Sequence, residues 1–164
     1  MIDTHAHLDA CDWSASELAA RARAVGVTRI VTIGTGIASC RRALQIARDV
    51  RGCVAALGID PHQAATPEAE RVHELRGLLC DPAAVAVGET GLDGHHGAET
   101  LTEQRSLFEA QLALAEELGL PVVVHSRAAS ADTAAALAPF GGTVVLHCFS
   151  EPDLLEPALE RGYY

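Results

Sequence analysis

Leu120-Pro121-Val122-Val123-Val124-His125-Ser126-Arg127 is the stretch that decides how this chain folds. Gly119 and Pro121 stop a long run of helical spacing, and three consecutive valines then leave no polar face. A strand that is apolar on both sides belongs to a parallel sheet covered by helices, because only there are both of its faces buried. The same arrangement repeats outward from it. Upstream, a helix is predicted over 102–118, a Gly-rich loop over 91–97 and a strand over 85–89, where Asp81-Pro82 breaks the preceding helix. Further back lie a helix from Thr66-Pro67-Glu68 to about 79, a strand over 53–59, a helix over 39–50 and a strand over 28–33. Ser14-Ala15-Ser16-Glu17 reads as a capping box for a helix that Gly26 ends. Downstream, a helix over 130–138, a strand over 143–147 and a helix over 152–161 complete six βα units. Doubly wound sheets and (β/α)8 barrels both fit this alternation, and a full barrel needs eight units and roughly 250 residues.

The chain has 164 residues, 49% of them hydrophobic, enough to bury a core as one domain. Its net charge is −10, from 12 basic residues that are all Arg and 22 acidic ones. That balance excludes nucleic-acid binding through a broad cationic surface. It does not exclude a nucleic-acid enzyme whose positive charge comes from bound metal. Five cysteines without a Cys-x-x-Cys indicate free thiols, and no apolar run approaches the roughly 18 residues of a membrane span. A reducing cytoplasm is the expected location, with no membrane partner and no prediction of oligomeric state.

The polar residues with chemistry collect at one end of the strands. In the opening stretch, Asp3-Thr4-His5-Ala6-His7-Leu8-Asp9, alternation at about 3.3 Å per residue projects His5 and His7 the same way, roughly 6.6 Å apart. His62 follows the third strand, Glu89 ends the fourth, His125 the fifth and His147 the sixth. Ligands in parallel α/β folds sit at the carboxyl ends of strands, so His5, His7, Glu89, His125 and His147 read as five converging metal ligands. His125 or His147 alone would read as a core histidine, and His5 with His7 alone as polar residues on a strand's wet face; the set points to metal. Four imidazoles and a carboxylate exceed what one zinc uses while keeping a position for water. We therefore expect two divalent ions bridged by Glu89, with Zn²⁺ or Mn²⁺ suited better than Mg²⁺. A hydroxide between them would be the nucleophile, which makes Glu89, His125 and His147 the expected catalytic set.

The stretches Asp3 to Asp9, Gly58-Ile59-Asp60-Pro61-His62, Gly88-Glu89-Thr90-Gly91-Leu92-Asp93, Gln104-Arg105, Leu120 to Arg127 and Leu146-His147-Cys148-Phe149-Ser150 resemble, in order, the signatures of the TatD family of metal-dependent deoxyribonucleases. The resemblance covers essentially the whole chain. It implies a barrel of the metal-dependent hydrolase type, metals on the five residues above, and DNA as the substrate of phosphodiester hydrolysis. Three departures stand out: Asp60 where the family usually has histidine, Gly94-His95-His96-Gly97 where it carries aromatic and basic residues, and a last metal-ligating aspartate that would lie beyond Tyr164. The expectation is thus an incomplete TIM barrel over 1–164, lacking strands seven and eight. Such a chain is expected to bind metal weakly and to associate through its open strand edges.

Other residues carry their own expectations. His62 and Arg127 are expected to bind substrate, Arg127 by forking onto a phosphate rather than pairing with Asp132 or Glu89. Arg105 is expected in a structural ion pair, Asp9 and Asp93 as imidazole partners or turn caps, and His95 and His96 in a mobile exposed loop. Cys148 should face the helix layer and Trp13 should pack. The competing functions are a small-molecule amidohydrolase or lactonase on the same barrel, and an inactive metal-binding remnant. Many amidohydrolases bridge their metals with a carbamylated lysine, and this chain has no lysine.

Overall fold

Strand and helix alternate six times, and the computed structural model describes every residue from 1 to 164. The strands are β1 (Ile2–Ala6), β2 (Arg29–Thr35), β3 (Cys53–Gly58), β4 (Ala84–Asp93), β5 (Val122–Arg127) and β6 (Val144–Leu146). The helices between and after them are α1 (Ala15–Ala24), α2 (Ile37–Asp49), α3 (Val72–Leu79), α4 (Leu101–Leu118), α5 (Ser130–Leu137) and α6 (Pro152–Glu160). Helix boundaries follow local chemistry. Ser14 and Glu17 form the full reciprocal capping box at the start of α1, and Gly119, left-handed at φ 64°, ends α4.

All neighbouring strands pair in parallel, in the order β1-β2-β3-β4-β5-β6. In a flat sheet with strands about 4.8 Å apart, β1 and β6 would be separated by roughly 24 Å. Instead the ring of His5, on β1, stacks on that of His147, just past β6, with centroids 3.9 Å apart. The sheet is therefore curled, and the structure selects a partial TIM barrel over an open doubly wound sheet. Tyr164 lies against the free edge of β6, donating to Val144 C=O at 3.0 Å and accepting from Leu146 N–H at 2.8 Å.

Buried hydrophobic residues lie on both sides of the sheet. On the helix side, 25 buried residues pack together, among them Val122 and Val124 of β5 and Leu107, Phe108 and Leu112 of α4. Inside the curl sit Ile33, Ala56, Ala86 and Val123. His125 shares the face of Val123, so the strand that buries Val122 and Val124 outward carries its histidine inward.

Strand β4 runs four residues beyond the expected end, and Gly91, Leu92 and Asp93 pair with His125, Ser126 and Arg127 of β5. Gly91 permits this: its φ is 138°, and a Cβ there would collide with the His125 carbonyl oxygen. Gly91→Ala is expected to cost at least about 2 kcal/mol, read as a lowered urea midpoint. An unchanged midpoint would mean that β4 and β5 do not approach as described.

Two expectations on packing fail. Cys148 is exposed rather than in the helix layer, because strand pairing stops at Leu146 and its backbone turns to φ 49°. Trp13 is 54% exposed, with the Arg21 guanidinium 4.4 Å over its ring, because it precedes α1 and lies outside the sheet. All five cysteines are free, and no helix is long and apolar enough to cross a membrane.

Candidate metal centre

Glu89 stands at the middle of four imidazoles. Its Oε2 is 3.2 Å from His5 Nε2 and 3.6 Å from His7 Nε2, while its Oε1 is 3.1 Å from His125 Nδ1 and 2.9 Å from His147 Nε2. All five of the expected ligands meet in one place. Strand alternation by itself would have turned Glu89 away, since Val87 points into the helix-side core and residues two apart share a face. A register shift corrects this: Val87 pairs with Val122 and Thr90 with Val124, so three steps of β4 oppose two of β5. The peptide between Gly88 and Glu89 in this bulge is cis. Thr90 then faces α4 and Glu89 faces the imidazoles.

The donor set fits a divalent ion. Two nitrogens bound tetrahedrally at about 2.05 Å are separated by about 3.3 Å. His5 Nε2 and His7 Nε2 stand 3.3 Å apart. One ligand atom from each of His5, Glu89 and His147 also lies within 4.8 Å of the others. Burial works against the charge on Glu89, but hydrogen bonds from His125, His147 and His5 outweigh it and hold the carboxyl far below its usual range.

A second carboxylate completes the arrangement. Asp93, fully buried, accepts from His125 Nε2 at 2.9 Å through Oδ2, and from the backbone N–H of His95 and His96 at 2.9 and 2.7 Å through Oδ1. Against the cost of burial, these contacts bring its pKa down to about 2. The two carboxylates push His125 the other way: burial would lower that imidazole, yet Glu89 and Asp93 together raise it. Asp93 thus fills both expected tasks at once, imidazole partner and turn cap. Asp9 fills neither, because Ser39 Oγ at 2.7 Å and Arg42 Nη2 at 3.1 Å occupy it from α2.

The charge pair predicts a stability profile for the metal-free protein. Asp93 is depressed from 3.8, so its contribution of about 2 kcal/mol is complete above about pH 4 and is lost as pH falls toward 2. His125 is raised, so its contribution is complete below about pH 6.5 and is lost as pH rises through its folded value. Asp93→Asn is expected to flatten the acid limb in urea melts between about pH 4 and 2. An acid limb identical to wild type would refute the assignment.

Around this centre, His62 is half-exposed at the mouth, its Nε2 3.4 Å from Asp93 Oδ2 and its Nδ1 3.4 Å from Asp60 Oδ1. Asp60 also accepts from the His62 backbone N–H at 2.9 Å, fixing the turn that presents the ring. Arg127 pairs with neither Asp132 nor Glu89. It ends β5 on the His125 face, exposed, and its Nη1 donates to His96 Nε2 at 2.9 Å. Asp132 lies instead 3.5 Å from Arg105, which also donates to Glu109 at 3.1 Å, so Arg105 is a structural ion-pair residue. The loop with His95 and His96 is exposed, as expected, and it is tied to the site by Asp93 and by Gln104.

The tasks of three supporting residues went unread in the sequence. Gln104 and Gln111 are buried on α4, seven residues apart, at positions where its apolar stripe asks for hydrocarbon. Gln104 accepts from Asp93 N–H at 2.8 Å and donates to Gly97 C=O at 2.8 Å. Gln111 accepts from Ile59 N–H at 2.8 Å and donates to Ile59 C=O at 2.9 Å and Thr90 Oγ1 at 2.7 Å. Glutamine twice on the core stripe was the available signal. The third, Glu151, offered none.

A profile of the family described as TatD related DNase matches residues 2–164. The 3'-5' ssDNA/RNA exonuclease TatD of Cronobacter turicensis is 40% identical over 158 residues, covering 93% of this chain and 60% of that protein. The uncharacterized metal-dependent hydrolase YabD of Bacillus subtilis is 34% identical over 170 residues, covering 100% of this chain and 67% of that one. Among solved structures, YjjV, a TatD homolog from Escherichia coli K12, superposes with a TM-score of 0.88 at 30% identity, over 99% of this chain and 66% of its own. The chain thus spans about 60% of the length of the exonuclease relatives it matches. With the profile matched from Ile2 to Tyr164 and the fold shared with YjjV, this chain belongs to the TatD-related DNase family.

Proposed function

We propose that this centre holds two divalent ions and hydrolyses phosphodiester bonds in nucleic acid, with single-stranded DNA as the substrate. One observation carries the reading: the two Glu89 oxygens are divided between two pairs of imidazoles, Oε2 facing His5 and His7, Oε1 facing His125 and His147. A carboxylate so placed can give one oxygen to each of two ions. Divalent ions bound there supply an activated water near neutral pH and offset phosphate charge. Zn²⁺ and Mn²⁺ suit the imidazole-rich set better than Mg²⁺. The name of the Cronobacter relative supports a nucleic-acid substrate, and that of the Bacillus relative supports metal dependence.

The chain's own residues bind and orient. His62 and Arg127 stand at the mouth to take substrate phosphate, and the Arg127 guanidinium has no carboxylate partner to compete with one. With a net charge of −10, the protein repels DNA at long range, so few phosphates are engaged. The plot of log affinity against log salt is therefore expected to be shallow, and a slope demanding about six or more phosphate contacts would count against the proposal. Free thiols at all five cysteines suit a reducing cytoplasm. The carboxylate bridge, in a chain without lysine, disfavours the amidohydrolase alternative.

The test is end-labelled single-stranded DNA incubated with the protein, with Mn²⁺, with Zn²⁺, or with chelator. Metal-dependent shortening is expected. Intact DNA alongside hydrolysis of an ester or amide panel would favour the amidohydrolase reading, and no turnover of either would favour an inactive metal-binding remnant.

A further inference from the structure

Past the metal centre, on the helix side of β5, lies a carboxylate that none of the proposed chemistry uses. Glu151 is 7% exposed and forms the N-cap position of α6. Its Oε2 accepts from Ser126 Oγ at 2.9 Å and from Ser130 Oγ at 2.7 Å, and its Oε1 accepts from Ala129 N–H at 3.2 Å. Ser126 Oγ is held in turn at 2.9 Å by Thr133 Oγ1, fully buried on α5. A buried carboxylate with three donors is a rigid tie, since losing any donor leaves charge unsatisfied away from water.

What this tie joins is specific. Backbone pairing of β5 with β6 ends where His147 N–H donates to Val124 C=O at 3.1 Å. Both strands then run on to histidines that share one oxygen: His125 and His147 approach Glu89 Oε1 at 3.1 and 2.9 Å. Glu151 sits four residues after His147 and grips Ser126, the residue after His125. We infer that Glu151 is a positioning residue for the metal centre, holding the ends of β5 and β6 in register beyond their ladder so that His125 and His147 keep their common approach to Glu89. Burial works against its ionisation, but Ser130, Ser126 and the backbone around Ala129 keep the carboxyl below its ordinary value, so the tie is charged at neutral pH.

This inference rests on the metal-centre reading, and the test separates the two. Co²⁺ is titrated into the full chain, wild type and variants, by calorimetry and by its visible d–d absorption, at a temperature where thermal melts show each variant fully folded. Wild type is expected to bind with a tetrahedral or five-coordinate spectrum. Glu151→Ala is expected to weaken binding about tenfold or more and to alter the spectrum, the range seen when groups that orient metal ligands are removed. Glu151→Gln, which keeps the shape and one acceptor oxygen, should recover part of that loss, and Glu156→Ala, elsewhere on α6, should change nothing. A purely structural carboxylate would lower the melting temperature and leave affinity and spectrum untouched, and that outcome overturns the inference. Should Glu151→Ala not fold, Ser126→Ala and Ser130→Ala each remove one strut. Weaker binding in both supports the tie, and wild-type affinity in both refutes it. If wild type itself takes up no Co²⁺, the metal-centre reading fails and this inference with it. Wild-type binding with insensitive variants sinks the inference alone.

Discussion

Replacing Glu89 with Gln is expected to weaken divalent-metal affinity by at least about a hundredfold and to cut the proposed nucleolytic turnover by at least about a thousandfold. The geometry sets that scale. Four imidazoles approach this one side chain, two on each oxygen, and no other carboxylate reaches the rings of His5, His7 or His147. Gln keeps the volume but has one acceptor oxygen and no charge, so one imidazole pair loses its shared partner. Glu89→Asp keeps the charge on a shorter stem and should serve one pair at the expense of the other, with an intermediate loss. The metal-free protein reports the same residue through pH. Its folded pKa lies below 4.5, so the ionised carboxylate stabilises the fold above about that pH and the contribution fades on acidification. Glu89→Gln should therefore be less stable than wild type at pH 7 and approach it in acid. Metal affinity within about threefold of wild type in Glu89→Gln would contradict the shared-oxygen arrangement.

Gln111→Leu is expected to destabilise the chain by about 3–5 kcal/mol, a large part of the 5–15 kcal/mol that holds a domain together. Leucine matches the helix-side core around it in polarity, so a hydrophobic ledger alone would forecast a gain. The opposite follows from what glutamine touches. Its amide satisfies Ile59 N–H, Ile59 C=O and Thr90 Oγ1 in a region without solvent, and each group left unpaired there costs about 1–3 kcal/mol. The effect also reaches the centre, because Ile59 leads into the Asp60 to His62 turn and Thr90 is the residue after Glu89. Urea melts of the metal-free protein measure the first consequence, and metal titration the second. A loss below about 1 kcal/mol would show that water or another group can replace the amide.

These two residues also mark how much the sequence disclosed. Glu89 was legible as a candidate ligand from its place at the end of an apolar strand, beside histidines in the same place on other strands. The ionic partner of Arg105 was expected in kind but not by name. Gln111 was passed over because helical spacing reports which face is buried and says nothing about which strand end lies under it. Arg127 and Asp9 show the same limit. Their charges were plain, but Arg127 meets a histidine 31 positions away and Asp9 an arginine 33 positions away.

From the sequence alone came the strict βα alternation, the parallel sheet it demands, and five candidate metal ligands at the ends of four strands. These are local properties, set by hydrophobic period, by turn residues and by the rule that parallel strands expose ligands at one end. Only the tertiary structure decided that the sheet curls until His5 stacks on His147, and that a register shift in β4 turns Glu89 inward. The buried amides of α4 and the carboxylate of Glu151 likewise acquire their task only there. The reason is physical: curvature, register and the pairing of buried polar groups depend on contacts between segments far apart along the chain, which no local period encodes.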